Sequence, residues 1–281
     1  RAVFYVDSIN TGDIVMTKHV IALAAALAAV GSGAWAQDSA ADGIAKFREM
    51  LADGNPAELF EAKGEALWTQ KRGPKNASLE KCDLGLGPGV VKGAFVQLPK
   101  YFADTQRVQD LETRLITCME TLQGFNAAEI NKTPFGQGEQ TNLTALATWI
   151  SAESKGLRFN LSQAHQSERT MYEVGKRLFF ARGSSHDFSC ATCHGQDGKR
   201  IRLQDLPNLT KNPGDGVGFA AWPAYRISNG QMWSQQLRLN DCYRQQRFPE
   251  PKFGSDVTIA LGVYMGVNAK GAESIAPALK R

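Results

Sequence analysis

The sequence has no long basic tract and no nucleic-acid-binding motif. Its formal charge of +4 and pI near 8.8 therefore give little reason to expect DNA or RNA as a partner. Alternating apolar and polar runs of strand type are sparse, and Gly and Pro gather in the loops, so a mainly α fold is expected. The apolar run from Val20 to Val30 is too short to span a bilayer comfortably. Cysteine is scarce: Cys82, Cys118, Cys190, Cys193 and Cys242 are all there are, and an odd count in an exported protein leaves one thiol to explain. The 281 residues suit one to three small domains.

Against that background one stretch carries chemistry, Ser189-Cys190-Ala191-Thr192-Cys193-His194-Gly195. Two thiols one helical turn apart can add to the two vinyl groups on a porphyrin edge, and the adjoining imidazole then becomes the proximal iron ligand. A closed zinc site would need a second ligand pair at short spacing, and the chain has none. A thioredoxin-like pair has no use for the His. The spacing predicts one covalently bound haem c.

Export is expected as well. Met16-Thr17-Lys18-His19 forms a short basic start, the apolar run follows, and Ala34-Trp35-Ala36 has the small-x-small pattern of a signal-peptidase site. Residues 16–36 are read as a cleavable signal peptide, residues 1–15 as an untranslated or upstream extension, and Gln37 as the mature start. A periplasmic location suits both haem attachment and lasting disulfides.

The mature chain reads as two copies of one unit. A gapless shift lays Phe95 on Phe219, Pro99 on Pro223, Tyr101 on Tyr225, Arg114 on Arg238, Leu115 on Leu239 and Cys118 on Cys242. Upstream of each unit's first cysteine, Gly64-Glu65-Ala66-Leu67-Trp68 corresponds to Gly175-Lys176-Arg177-Leu178-Phe179. Downstream, the segments holding Trp149 and Tyr264 read as closing helices, ended at Gly156 and Gly271. The expectation is two tandem cytochrome c-like domains, 37–160 with an N-terminal helical extension and 161–281 with the haem. In the first copy Gly85 and Leu86 replace the second Cys and the His, so that domain is expected to be haemless. Cys82 and Cys118 are then either a disulfide closing a 36-residue loop or two buried free thiols.

The sixth iron position has several candidates: Met232, Met265, His165, His186 and Cys242. An ordinary electron-transfer cytochrome would favour Met, with Met232 in the right loop. The repeat favours Cys242, flanked by Arg238, Arg244 and Arg247, because cationic neighbours lower a thiol pKa and thiolate is the form that binds iron. A solvated face is the alternative reading of the three arginines.

Cys190-Ala191-Thr192-Cys193-His194-Gly195 followed by Cys242-Tyr243-Arg244-Gln245 in a second domain resembles the SoxA subunits of the SoxAX cytochromes, of the periplasmic thiosulfate-oxidising system. The likeness extends over nearly the whole mature chain. It implies His194 as proximal ligand, Cys242 as distal ligand and catalytic sulfur, and Arg238, helped by Arg247, as the anion-binding side chains. It implies L-cysteine S-thiosulfotransferase activity, joining thiosulfate to a cysteine of a SoxYZ-like carrier, with a SoxX-like cytochrome completing a heterodimer. The loss at Gly85 and Leu86 places the chain with the single-haem type, with a Cys82–Cys118 disulfide where the first haem is lost. Two rival expectations are a non-catalytic electron-transfer cytochrome with Met232 on iron and a tandem-haem peroxidase, against which the broken first motif counts.

Overall fold

A computed structural model describes residues 54–201, 204–211 and 217–280, with Lys46 and Glu49 in addition. The signal-peptide reading over 16–36, the segment before it and most of the helical extension after it lie outside the described residues.

Two pairs of long helices carry the molecule, and a glycine sets each crossing. Helix α1 (Ala57–Thr69) lies across a helix at Gly138–Ala152, where a Cβ on Gly64 would run into the Ala145 carbonyl and the Trp149 Cβ. The helix at Gln166–Phe180 lies across the one at Asp256–Asn268, where Gly175 meets the Ala260 carbonyl and the Tyr264 Cβ in the same way. Only a residue without a side chain allows backbones to approach so closely. Between the members of the first pair come α2 (Leu111–Cys118) and α3 (Ala127–Lys132), with the 138–152 helix as α4. The second pair is α5 (166–180) and, after α6 (Cys190–His194), α7 (Val217–Ala220) and α8 (Gln235–Gln245), α9 (256–268).

Helix starts follow from local chemistry. Asp110 caps α2, its carboxylate accepting from the Thr113 N–H at 2.9 Å, and Ser234 caps α8, accepting from the Leu237 N–H at 3.1 Å. His165 caps α5 through Nδ1, 3.2 Å from the Ser167 N–H, and stacks on Tyr101 with ring centres 3.6 Å apart. Helix α9 is apolar almost all round, and it is buried almost all round.

The strands are short. β1 (Lys100–Phe102) and β2 (Arg107–Gln109) form an antiparallel ribbon, and β3 (Arg200–Ile201) pairs with β4 (Gln204–Asp205). β5 (Ala224–Arg226) pairs antiparallel with β6 (Gln231–Trp233) and parallel with β7 (Ala278–Lys280), giving the order β6-β5-β7. The fold is mainly α.

One apolar core gathers around Trp68, Leu115 and Leu146, and another around Phe159, Phe179 and Tyr264. Cys82 and Cys118 lie in the first core as a disulfide, S–S 2.05 Å and Cα–Cα 5.5 Å. Its 36-residue loop corresponds to about 3–4 kcal/mol in the chain-entropy estimate. After Cys82, where Gly85 and Leu86 stand, the chain makes a polar turn. Asp83 Oδ1 accepts from the Gly85 and Gly87 N–H groups, Arg114 Nε donates to the Asp83 carbonyl at 2.6 Å, and Lys100 Nζ donates to that of Gly85 at 2.9 Å.

Candidate functional site

Ser189 opens the site. It caps α6 reciprocally with Thr192, the Ser189 hydroxyl accepting from the Thr192 N–H and the Thr192 hydroxyl from the Ser189 N–H. That cap winds residues 190–194 into the single turn that puts both thiols on one side, and both are free thiols in the structure. The Cys190 side chain packs against the second core, and burial pushes its thiol up to about 12, helped by the negative charge that Cys242 and Cys193 would carry.

His194 is oriented by the backbone. Its Nδ1 lies 2.9 Å from the Pro207 carbonyl oxygen, and that pairing makes Nδ1 the protonated nitrogen. Nε2 is then left with its lone pair, as a proximal ligand requires. Burial lowers the His194 pKa first, the Pro207 contact raises it and Arg238 lowers it, so the ring is held neutral.

Cys242 reaches the same place from α8. It lies within electrostatic range of Cys193, Cys190, Arg238, Asp241 and Arg226. Its arginine neighbours act in the expected direction, and burial opposes them. Burial raises its pKa and is the largest effect, Arg238 and Arg226 lower it, and Asp241 and Cys193 raise it, for a net upward shift. A buried thiol loses its proton to a metal more readily than to two half-shielded cations.

Beside the sulfur sits a saturated carboxylate. Asp241, nearly buried, accepts from Arg238 Nη1 at 2.9 Å, Arg244 Nη2 at 2.6 Å and Gln245 Nε2 at 2.7 Å. Arg238 keeps 29% of its side chain exposed, so part of its guanidinium remains available. Arg247 is exposed past the end of α8 with φ +61°, and no contact joins it to Cys242 among the described residues. Of the other ligand candidates, His165 is engaged as a helix cap and His186 is exposed in a turn. Met265 belongs to the second core, and Met232 lies on the face of the β5–β6 sheet opposite Arg226 and Trp233.

The sequence reading overlooked Arg226 and the Pro207 carbonyl. Arg226 had a signal: under the gapless shift it falls on Phe102, so a core aromatic is exchanged for a cation within electrostatic range of Cys242. Pro207 acts through its backbone and had none.

A family model described as the SoxA/TsdA cytochrome c domain matches residues 63–159, the half without Cys-x-x-Cys-His. The L-cysteine S-thiosulfotransferase subunit SoxA of Hydrogenophilus thermoluteolus is 51% identical over 272 residues, covering 94% of this chain and 100% of its own. The chain belongs to the SoxA family. A SoxA subunit of Hydrogenobacter thermophilus is 33% identical over 249 residues, covering 87% of this chain and 91% of its own. The crystal structure of SoxXA from P. pantotrophus superposes with a TM-score of 0.70 over 84% of both chains at 23% identity, a likeness of fold. As a SoxA cytochrome the chain carries covalently bound haem c, and the residues present fit it: two free thiols on one helical turn, an imidazole oriented through Nδ1, and a half-buried thiol within electrostatic range of them.

Proposed function

We propose that this SoxA chain is the catalytic subunit of an L-cysteine S-thiosulfotransferase, with Cys242 as the reacting sulfur. The observation that carries the reading is that Cys242 lies within electrostatic range of Arg238, Cys190 and Cys193, and Arg238 within range of His194. Cys190 and Cys193 would hold the haem through thioethers, and His194 Nε2 and Cys242 would bind its iron. Bound there, haem supplies one-electron acceptance at a potential kept low by thiolate ligation.

These residues handle an anion and a sulfur–sulfur bond. Arg238 gives thiosulfate charge-assisted hydrogen bonds. The Cys242 thiolate and S2O3²⁻ join as Cys242–S–S–SO3⁻ with loss of two electrons. The thiolate of a carrier cysteine then attacks the sulfur bonded to sulfite. Carrier–S–S–SO3⁻ forms and Cys242 leaves as thiolate, a thiol–disulfide exchange in which no further electrons move. Two electrons must leave and this chain has one attachment motif, so a SoxX-like cytochrome serves as the second acceptor in a heterodimer, and a SoxYZ-like protein is the carrier.

We further read the chain as tandem cytochrome c-like units, 37–160 haemless and 161–281 haem-bearing, exported to the periplasm. The matched glycine crossings, the capped helices α2 and α8 and the polar turn at Asp83–Gly87 support the unit reading. The signal-like segment 16–36 supports export. Arg247 has no support from its placement, and Arg238 is the anion-binding residue of this reading.

Mass spectrometry of the carrier after incubation with thiosulfate, the haem-loaded chain and its partner cytochrome tests the proposal. A thiosulfate adduct on the carrier cysteine is expected only when the chain is present. Reduction of the haem without any adduct would return the chain to plain electron transfer.

A further inference from the structure

A second guanidinium lies within electrostatic range of Cys242, and the scheme above does not use it. Arg226 ends β5 opposite Gln231, with Trp233 two positions along on the same face, and its guanidinium carbon stands 4.9 Å from the centre of the Trp233 ring. The side chain is half-buried and lies within electrostatic range of Arg238, Asp241 and Cys242. Burial lowers its pKa first and Arg238 lowers it further, while Asp241 and Cys242 raise it.

Two donors at this spot have nothing to donate to. Arg226 Nε and the Trp233 indole Nε1 are both buried without a hydrogen-bond partner, and Arg226 makes no ion pair among the described residues. The nearby carboxylate does not answer them, because Asp241 is already shared by Arg238, Arg244 and Gln245. A buried unsatisfied donor costs about 1–3 kcal/mol, and native folds rarely keep one without a use. Both groups donate and neither accepts, so what completes them is an acceptor-only ligand, and two close guanidinium groups make it an anion.

The first copy shows the structural alternative. Its Arg114, equivalent to Arg238, lies over Phe102 at 4.0 Å and is tied to the Asp83 carbonyl and the Asp104 carboxylate. With Phe102 replaced by Arg226 in the second copy, the aromatic support disappears and a second cation takes its place beside the reactive sulfur.

We propose that Arg226, with the Trp233 indole beside it, binds the sulfonate oxygens of the substrate while Arg238 serves the end that meets Cys242. The inference rests on the thiosulfotransferase reading and deepens it. The pocket thereby selects a tetrahedral sulfur oxyanion with a reduced sulfur at one end, and a planar guanidinium suits such oxygens better than an ammonium.

Haem-loaded Arg226→Gln and Arg226→Lys proteins, in complex with the partner cytochrome, test this by steady-state kinetics and by calorimetric titration with thiosulfate. Arg226→Gln should raise KM and the calorimetric Kd about ten- to hundredfold, with a smaller change in kcat and an unchanged melting temperature. Arg226→Lys should recover part of the affinity. Unchanged KM and Kd in Arg226→Gln would overturn the proposal. So would equal losses in both variants accompanied by a lower melting temperature, which is what a mere brace over Trp233 would give. Arg238→Ala separates the two claims: if it weakens binding while Arg226→Gln does not, only the role of Arg226 fails. If the wild-type protein neither binds nor turns over thiosulfate, the functional reading fails and this inference with it.

Discussion

Arg114 and Arg238 stand at equivalent places in the two halves and are used differently. Arg114 is almost wholly buried and spends its donors on Asp83 and Asp104, a structural task. Among the described residues Arg238 bonds to Asp241 alone and keeps part of its surface, so its removal should touch substrate more than fold. Arg238→Ala is expected to lower kcat/KM for thiosulfate about ten- to hundredfold, the worth of one charge-assisted hydrogen bond, with haem content unchanged. Kinetics alongside a haem-to-protein ratio would check this, and unaltered kcat/KM would return Arg238 to a solvated face. At this scale the sequence was readable wherever chemistry fixes spacing, as at Cys190, Cys193 and His194. It was less readable where function depends on what a side chain lacks. Arg226 matters because no acceptor reaches it, and a motif does not record a missing partner. The burial of Cys242 is a related case: neighbouring arginines are visible in a sequence, and the desolvation that opposes them is not.

Among the elements, α5 and α9 form the frame behind the haem-attachment turn, and their crossing depends on Gly175. An added Cβ would meet the Ala260 carbonyl and the Tyr264 Cβ, both on the backbone path of a buried helix with no flexible end to move aside. Gly175→Ala is therefore expected to destabilise despite alanine's better helix propensity, by about 1–3 kcal/mol as overpacking does, and chemical denaturation would measure it. A variant as stable as the parent would mean that the two helices can separate freely. The helices themselves could be anticipated, since their N-terminal capping residues are local signals, although α4 and α9 end at Ala152 and Asn268, ahead of Gly156 and Gly271. The three-residue strands could not: β5 and β7 pair across more than fifty residues, and so short a strand has too few positions to show alternation.

In the whole molecule the two halves meet around the start of α2. Gln236 Nε2 donates to Asp110 Oδ2 at 2.6 Å, and Gln236 Oε1 accepts from the Gly254 N–H and the Thr258 hydroxyl. Glu112 is buried in the same region, lining a cavity of about 50 Å³ with Ser234 and Leu239. Burial first and the Asp110 charge second raise its pKa from 4.5 to about 8, against a smaller lowering by the Ser234 hydroxyl. The folded chain thus keeps Glu112 protonated at neutral pH, whereas the unfolded chain ionises it above 4.5. Its contribution is complete below the unfolded value and is lost as pH climbs through the folded one. Melting temperatures between about pH 5 and pH 8 should fall more steeply for the parent than for Glu112→Gln, and parallel curves would contradict the assignment. The gapless identities gave no sign of this seam, because it joins residues at which the two segments differ, Asp110 with Gln236 and Glu112 with Ser234. The account as a whole rests on one sulfur. Its most direct test is thiosulfate turnover by Cys242→Ala, produced with the partner cytochrome and verified as fully haem-loaded. Turnover lost with haem retained is the predicted result; turnover at the wild-type rate would contradict it and leave an electron-transfer subunit.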